Sequence, residues 1–516
     1  GVAESGAERV IERAGNARRA VVQQLVALGL LIAVAVYFME GVRDLDESPL
    51  GCDAFGYERQ AQLFRDLGWG GFDTPLEPPS SRQLIEFAKG TGANTPAWYQ
   101  GIAPHCHHYR VQTDKVILQY PPGTGLVMAV FPVEVQARWV RVASLFAAAA
   151  ALALLLVRIR HLGQGVLVVG GTVLTLISLR QVNGTESAWI GTALAVVCGL
   201  LLAPALQKNA TAWLALLGLI AGFSTTVRVT NLVIVGVVGL VLLYRLARGR
   251  TAADLLAVAT FSAATLAGLS PMLIANAVNA GSIFQSTYSE IDASLPDLRS
   301  LARSAAVYFS ATPHGLVLIA SLVIGAVTLC LRWRSTPVRL AVAVMVLTLA
   351  YLVPKPVAAW YYLMPAWVFL IAVSLSALLP ERAGARRWRG AGFAAAVLVP
   401  GIAATGLTAF PDRRLPVDET MRDELAGDPI IWADVYGGPI IAGYGVYTAK
   451  LNFASAPEMQ DRLVADVEAA GLRQLFVADT ETMAGIMDRV REEWRLDQIG
   501  TLYGFPVYEL EGGRTP

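Results

Sequence analysis

The sequence predicts a polytopic α-helical membrane protein of about eleven transmembrane helices with a small C-terminal α/β domain outside the membrane. Three observations lead there. The chain of 516 residues is 55% hydrophobic and only 16% charged, with a mean hydropathy of +0.51, whereas soluble domains carry about a quarter charged residues. Its apolar residues gather into runs close to the ~20 residues that cross a bilayer. The connections between those runs alternate between basic and nearly uncharged.

The first run, Val21 to Phe38, follows Arg9, Arg13, Arg18 and Arg19. No small-x-small cleavage site comes after it, so it reads as a retained helix. Spans are expected near residues 20–40, 139–158, 163–179, 184–203, 210–227, 229–245, 252–275, 312–331, 337–353, 357–379 and 390–409. Gly123 to Val133 is apolar but short, and reads as a re-entrant or interfacial piece or the start of the second span. Arg158 and Arg160, Lys208, Arg245 to Arg250, Arg332 to Arg339 and Arg382 to Arg389 fall in every second connection. Basic loops stay cytoplasmic, which places the N-terminus inside and the other connections outside, together with the first loop (42–119) and the tail. Residues 1–410 form the membrane part and 411–516 the outer domain. In the tail, strand-like Ile430 to Ala433, Leu475 to Ala478 and Gly504 to Tyr508 alternate with helical Pro457 to Ala470 and Thr480 to Glu493, an α/β pattern of a length able to bury its own core. It holds no glycine fingerprint for phosphate.

Composition also excludes. A net charge of +1 gives no basic field for nucleic acid. Four cysteines in this length make no disulfide scaffold. Cys198 and Cys330 lie in apolar runs, while Cys52 and Cys106 share the first loop, where pairing stays open.

Polar residues beside a membrane are costly unless they act there, so the first loop is the place to look for chemistry. Asp53 is the leading candidate, as a general base; its plain alternative is to cap a helix over Ala54 to Leu67. Arg228 and Lys355 stand in outward turns otherwise poor in charge, suited to holding phosphate, although Arg228 is equally placed to snorkel. Tyr57, Tyr120 and Tyr361 offer faces for a sugar, and Trp360-Tyr361-Tyr362 also fits an interfacial belt. Arg299 and Arg303 lie a helical turn apart, with Arg303 the candidate contact. His105 to His108 invites a metal, a solvated loop or a substrate contact through His107. The residues point to no particular cofactor, and a divalent metal stays an open alternative.

These residues fall into a pattern. Asp53-x-x-x-Tyr57-x-x-x-Ala61 after the first span, Gln119-Tyr-Pro-Pro-Gly123 closing the loop, Val227-Arg-Val-Thr-Asn-Leu232 in the middle and Lys355 to Pro365 late in the chain resemble, in order, the motifs of GT-C membrane glycosyltransferases. The resemblance covers the chain to about residue 410. It implies a polyprenyl-phosphate sugar donor, inverting transfer to a hydroxyl at an outward-facing site, and Asp53 as base, with the acceptor left open between a glycan, a lipid and a protein. The high Ala, Val, Leu and Arg content suggests a bacterial source and so a plasma membrane. Many relatives carry Asp-Glu where this chain has Asp53-Ala54, so a second carboxylate must come from elsewhere or be absent. Asp44 is the fallback base. Trp432-Ala-Asp434-Val-Tyr436-Gly437 is a partial likeness to the oligosaccharyltransferase signature, with the second Trp missing. The rival readings are an oligosaccharide ligase or oligosaccharyltransferase, a non-catalytic membrane assembly factor, and a flippase of lipid-linked sugars. The flippase would show repeats or broken midplane helices; no repeat is evident and charges within the spans are nearly absent.

Overall fold

The computed structural model describes residues 2–43, 51–75, 79–90, 102–103, 106–180, 182, 185–207, 210–288, 297–355, 359–380, 387–407, 417–451 and 456–514. Asp44 and His105 lie outside them. The first helix is α1 (Val2–Arg43). The first loop folds into α2 (Gly51–Leu67), α3 (Pro79–Gly90) and a hairpin of β1 (His107–Arg110) and β2 (Lys115–Leu118). The short apolar piece after it is α4 (Gly123–Met128), separate from the next span.

Apolar helices then follow: α5 (Gln136–Ala153), α6 (Leu162–Arg180), α7 (Glu186–Ala205), α8 (Thr211–Val227), α9 (Leu232–Gly249) and α10 (Ala252–Ala275). After the short α11 (Leu301–Tyr308) come α12 (Pro313–Leu331), α13 (Thr336–Leu352), α14 (Met364–Leu378) and α15 (Arg387–Leu407). Helices α12, α13 and α14 carry proline in their first turn, where its missing N–H costs nothing. Among the described residues, seven helices are long and apolar enough to span a membrane, and four apolar helices of 10–17 residues match the other expected runs.

Burial separates the inner helices from the lipid-facing ones. Every residue of α14 from Met364 to Ser376 is buried, and fully buried Trp367 donates to Ser178 Oγ of α6 at 3.0 Å. In the apolar stretch of Gln136–Arg158, 78% of residues are buried, against 17% in Ala252–Ala280. An apolar helix that the protein leaves uncovered belongs against lipid tails.

The tail contributes α16 (Glu419–Glu424), β3 (Ile430–Trp432), α17 (Gly437–Tyr444), β4 (Tyr447–Ala449), α18 (Pro457–Ala469), β5 (Gln474–Val477), α19 (Glu481–Glu493), β6 (Trp494–Leu502) and β7 (Phe505–Arg514). The sheet order is β4-β3-β5-β7-β6. Its first three strands are parallel, and the β6–β7 hairpin closes it antiparallel. One sheet face packs on Met421, Leu425 and Ile440. The other shares a core with the first loop, where Leu84, Ile85, Tyr109 and Val116 join Trp432, Leu463 and Phe476. The tail and the loop are thus packed as one unit, and α17 rests on α2.

Candidate active site

Helix α2 begins at Gly51, two residues before Asp53, so the carboxylate lies inside the first turn and not at the cap. A negative charge is favoured there by the helix dipole. Across from it, the segment Thr185-Glu186-Ser187 opens α7, and Arg228 stands in extended conformation where α8 ends. Two close approaches bring these parts together. A side chain at Gly123 would strike Thr226 at 2.5 Å, which fixes α4 against the last turn of α8. A side chain at Gly56 would run into the Tyr120 ring.

Asp53 is half-buried at the head of a cavity of about 540 Å³. Its Oδ1 accepts from Tyr120 Oη at 2.6 Å and its Oδ2 from Thr185 Oγ1 at 3.3 Å. Burial raises its pKa above the ordinary aspartate value. The Tyr120 hydrogen bond, the charge of Arg228 and the Thr185 hydrogen bond pull the other way, and nearby Glu186 adds to the rise. Tyr57 and Tyr120 are pushed well up by burial and then by the charge of Asp53, so both stay protonated donors. Tyr57 Oη donates to Ser187 Oγ at 2.9 Å, and Arg228 Nη1 donates to the same oxygen at 3.1 Å. The tyrosine rings of residues 57 and 120 lie 4.8 Å apart.

The Arg228 guanidinium sits 5.0 Å from the Tyr361 ring and 4.9 Å from the Tyr362 ring, cation–π contacts that orient it. Arg228 is buried, and its Nε has no hydrogen-bond partner among the described residues. A buried donor left unmet costs ~1–3 kcal/mol, so this guanidinium suits an acceptor arriving in the cavity. Lys355 lines the same cavity with its Nζ 4.5 Å from the Tyr351 ring. Its carbonyl is held by Ser304 Oγ at 2.8 Å.

Of the residues singled out in the sequence, Asp53, Tyr57, Tyr120, Arg228 and Lys355 line one cavity, and Tyr361 supports Arg228 from beside it. Arg303 lies exposed on α11 and is not part of the lining. His107 is buried in β1 opposite Leu118, also away from the lining. His108 is pushed down to about 3 by burial and by the neighbouring Arg110 and His107, so its ring stays neutral. Among the described residues no three His, Cys, Asp or Glu side chains group as a metal site.

The cavity also holds residues beyond the candidate contacts, one of them, Gln119, from the quoted motifs. Ser187, Gln119 and Tyr288 line it, and behind Ser187 lies a buried ion pair, Arg141 to Glu186 at 2.7 Å. Both charges fall within expected spans, which corrects the reading that the spans are nearly free of them. Charges in such places mark function by default, and that was the available signal.

No family model and no curated protein matches the chain. Among solved structures it is similar to ArnT from Cupriavidus metallidurans bound to undecaprenyl phosphate. Identity is 12%, 93% of this chain and 97% of that one are covered, and the TM-score is 0.50. The apo ArnT structure gives 10% identity, 93% and 97% coverage and a TM-score of 0.48. The Archaeoglobus fulgidus oligosaccharyltransferase in the apo form gives 11%, 93% of this chain, 74% of that one and 0.47. The likeness to the undecaprenyl-phosphate-bound ArnT structure extends over almost the whole chain, so the two share a polytopic membrane fold.

Proposed function

We propose that the protein transfers a sugar from a polyprenyl-phosphate donor to an acceptor hydroxyl on the outer face of a bacterial plasma membrane. The observation that carries this reading is the single cavity joining Asp53, Arg228 and Lys355. Arg228 and Lys355 hold the donor phosphate as charge-assisted donors. Two cations against one carboxylate leave room for one further negative charge, that of a phosphodiester. This favours a single sugar on a monophosphate over an oligosaccharide on a diphosphate. Leu232 and Val233 of α9 and Thr348, Tyr351 and Leu352 of α13 form an apolar side of the cavity, and the prenyl chain leaves for the lipid between these helices. ArnT, bound to undecaprenyl phosphate, lends this donor class support.

In the reaction, Asp53 takes the proton of the acceptor hydroxyl. The oxygen attacks the anomeric carbon on the face opposite the phosphate, the carbon–phosphate oxygen bond breaks, and configuration inverts. The polyprenyl phosphate departs with the extra charge, which Arg228 and Lys355 stabilise as it develops. Tyr57, Ser187 and Thr185 keep the cation and the base in register. The acceptor is a glycan, lipid or protein of the envelope.

The test is release of polyprenyl phosphate by purified protein in lipid. Short-chain donors are offered, each with one hexose or pentose on a monophosphate or an oligosaccharide on a diphosphate, with crude envelope acceptors. The reading expects release from a monophosphate donor only in the presence of acceptor. Release from diphosphate donors alone moves the protein to the oligosaccharide-transferring class, and movement of intact donor across the membrane without release makes it a flippase.

A further inference from the structure

The base has two cysteines beside it, brought together from positions 54 residues apart. Cys52 is the second residue of α2 and directly precedes Asp53, while Cys106 leads into β1 with a φ of 66°. Cys106 Sγ donates to the Cys52 carbonyl oxygen at 2.6 Å, and both cysteines are free thiols in this structure. Gln119, which lines the cavity, touches both residues: its Nε2 is 3.5 Å from Cys52 Sγ and its amide donates to the Cys106 carbonyl at 3.1 Å. Cys106 is buried. The other two cysteines are elsewhere, Cys198 buried in α7 and Cys330 exposed on α12.

We propose that Cys52 and Cys106 are joined by a disulfide in the functional protein, which ties the first turn of α2 to the β1–β2 hairpin and fixes Asp53 over the cavity. The inference rests on the outward orientation of the first loop, because disulfides persist in oxidising compartments. Each thiol gives up its hydrogen and the S–S bond forms. The two electrons and two protons pass to a disulfide-bearing thiol oxidant, whose own S–S bond is reduced to two thiols. The clamp also accounts for a non-glycine residue held at positive φ at Cys106, a conformation that persists only where its surroundings impose it.

The experiment isolates the protein from membranes without reductant, denatures it, alkylates it with N-ethylmaleimide and maps the four cysteines by mass spectrometry before and after reduction. Without reductant, Cys198 and Cys330 are alkylated while the peptides of Cys52 and Cys106 are recovered linked; after reduction all four react. Alkylation of Cys52 and Cys106 to the extent of Cys198 without reductant overturns the proposal. Labelling of Cys330 by a membrane-impermeant maleimide on intact cells then tells whether the orientation failed too, since the proposed orientation keeps it inside. A functional readout accompanies this. Reduction slows wild-type transfer roughly tenfold or more, as misplacement of a reacting group does, and the Cys52→Ser/Cys106→Ser protein shows that slow rate with or without reductant. A wild-type rate indifferent to reduction overturns the positioning role.

Discussion

Asp53 and Asp479 both lose water on folding, and burial raises the pKa of each, yet their oxygens are used differently. Asp479 follows β5, and its carboxylate accepts from the Asp434 amide at 3.0 and 2.9 Å and from the Tyr436 amide at 2.8 Å. Those donors are backbone, fixed by the loop after β3, and they claim both oxygens. Among the described residues Asp53 accepts from two hydroxyls, Tyr120 and Thr185, which can rotate, and it faces a cavity. A carboxylate wrapped in amides holds a loop; one met by hydroxyls over an open volume keeps lone pairs free for an incoming proton. The Asp434–Tyr436 segment, a partial likeness to a transferase signature in the sequence, belongs to the first kind.

Four substitutions break or sharpen that contrast. The largest effect is expected at Asp53→Asn, which keeps size and removes the base. Transfer falls by about 10²–10⁴, while donor binding and the thermal midpoint of the purified protein hold. Arg228→Lys keeps the charge and loses the planar fork stacked on Tyr361 and Tyr362, so kcat falls by about 10²–10³, read in the same assay. Asp479→Asn turns one acceptor into a donor facing amide hydrogens and lowers stability by about 1–3 kcal/mol. Its transfer rate at temperatures below unfolding stays near wild type. Tyr120→Phe has the smallest effect, about tenfold or less on rate, through loss of one hydrogen bond to the carboxylate.

Much of this was readable from residue type and spacing. All eleven apolar runs are helices, because twenty apolar residues leave few other solutions in lipid. The cavity gathered five of the named side chains, which come from four motifs spread along the chain. Other features had no local signal. Thr185-Glu186-Ser187 reads as any helix start, and only the fold brings it to Asp53, Tyr57 and Arg228. Arg303 was drawn in by its spacing from Arg299, but spacing places two residues on one face without saying where that face points. Leu84, Ile85 and Ala88 announce a buried face on α3, not that the C-terminal sheet covers it. Strand β4, three residues long, is too short for a period to register.

The central claim, that Asp53 is the proton acceptor, is tested most directly by the pH dependence of single-turnover transfer in wild type and Tyr120→Phe. A base works only when ionised, and burial raises the Asp53 pKa. The wild-type rate therefore falls as pH drops through a midpoint above the ordinary aspartate value. Removing the Tyr120 hydrogen bond, which lowers that pKa, moves the midpoint further up. A rate flat across the acid range, or a midpoint unmoved by Tyr120→Phe, contradicts the account.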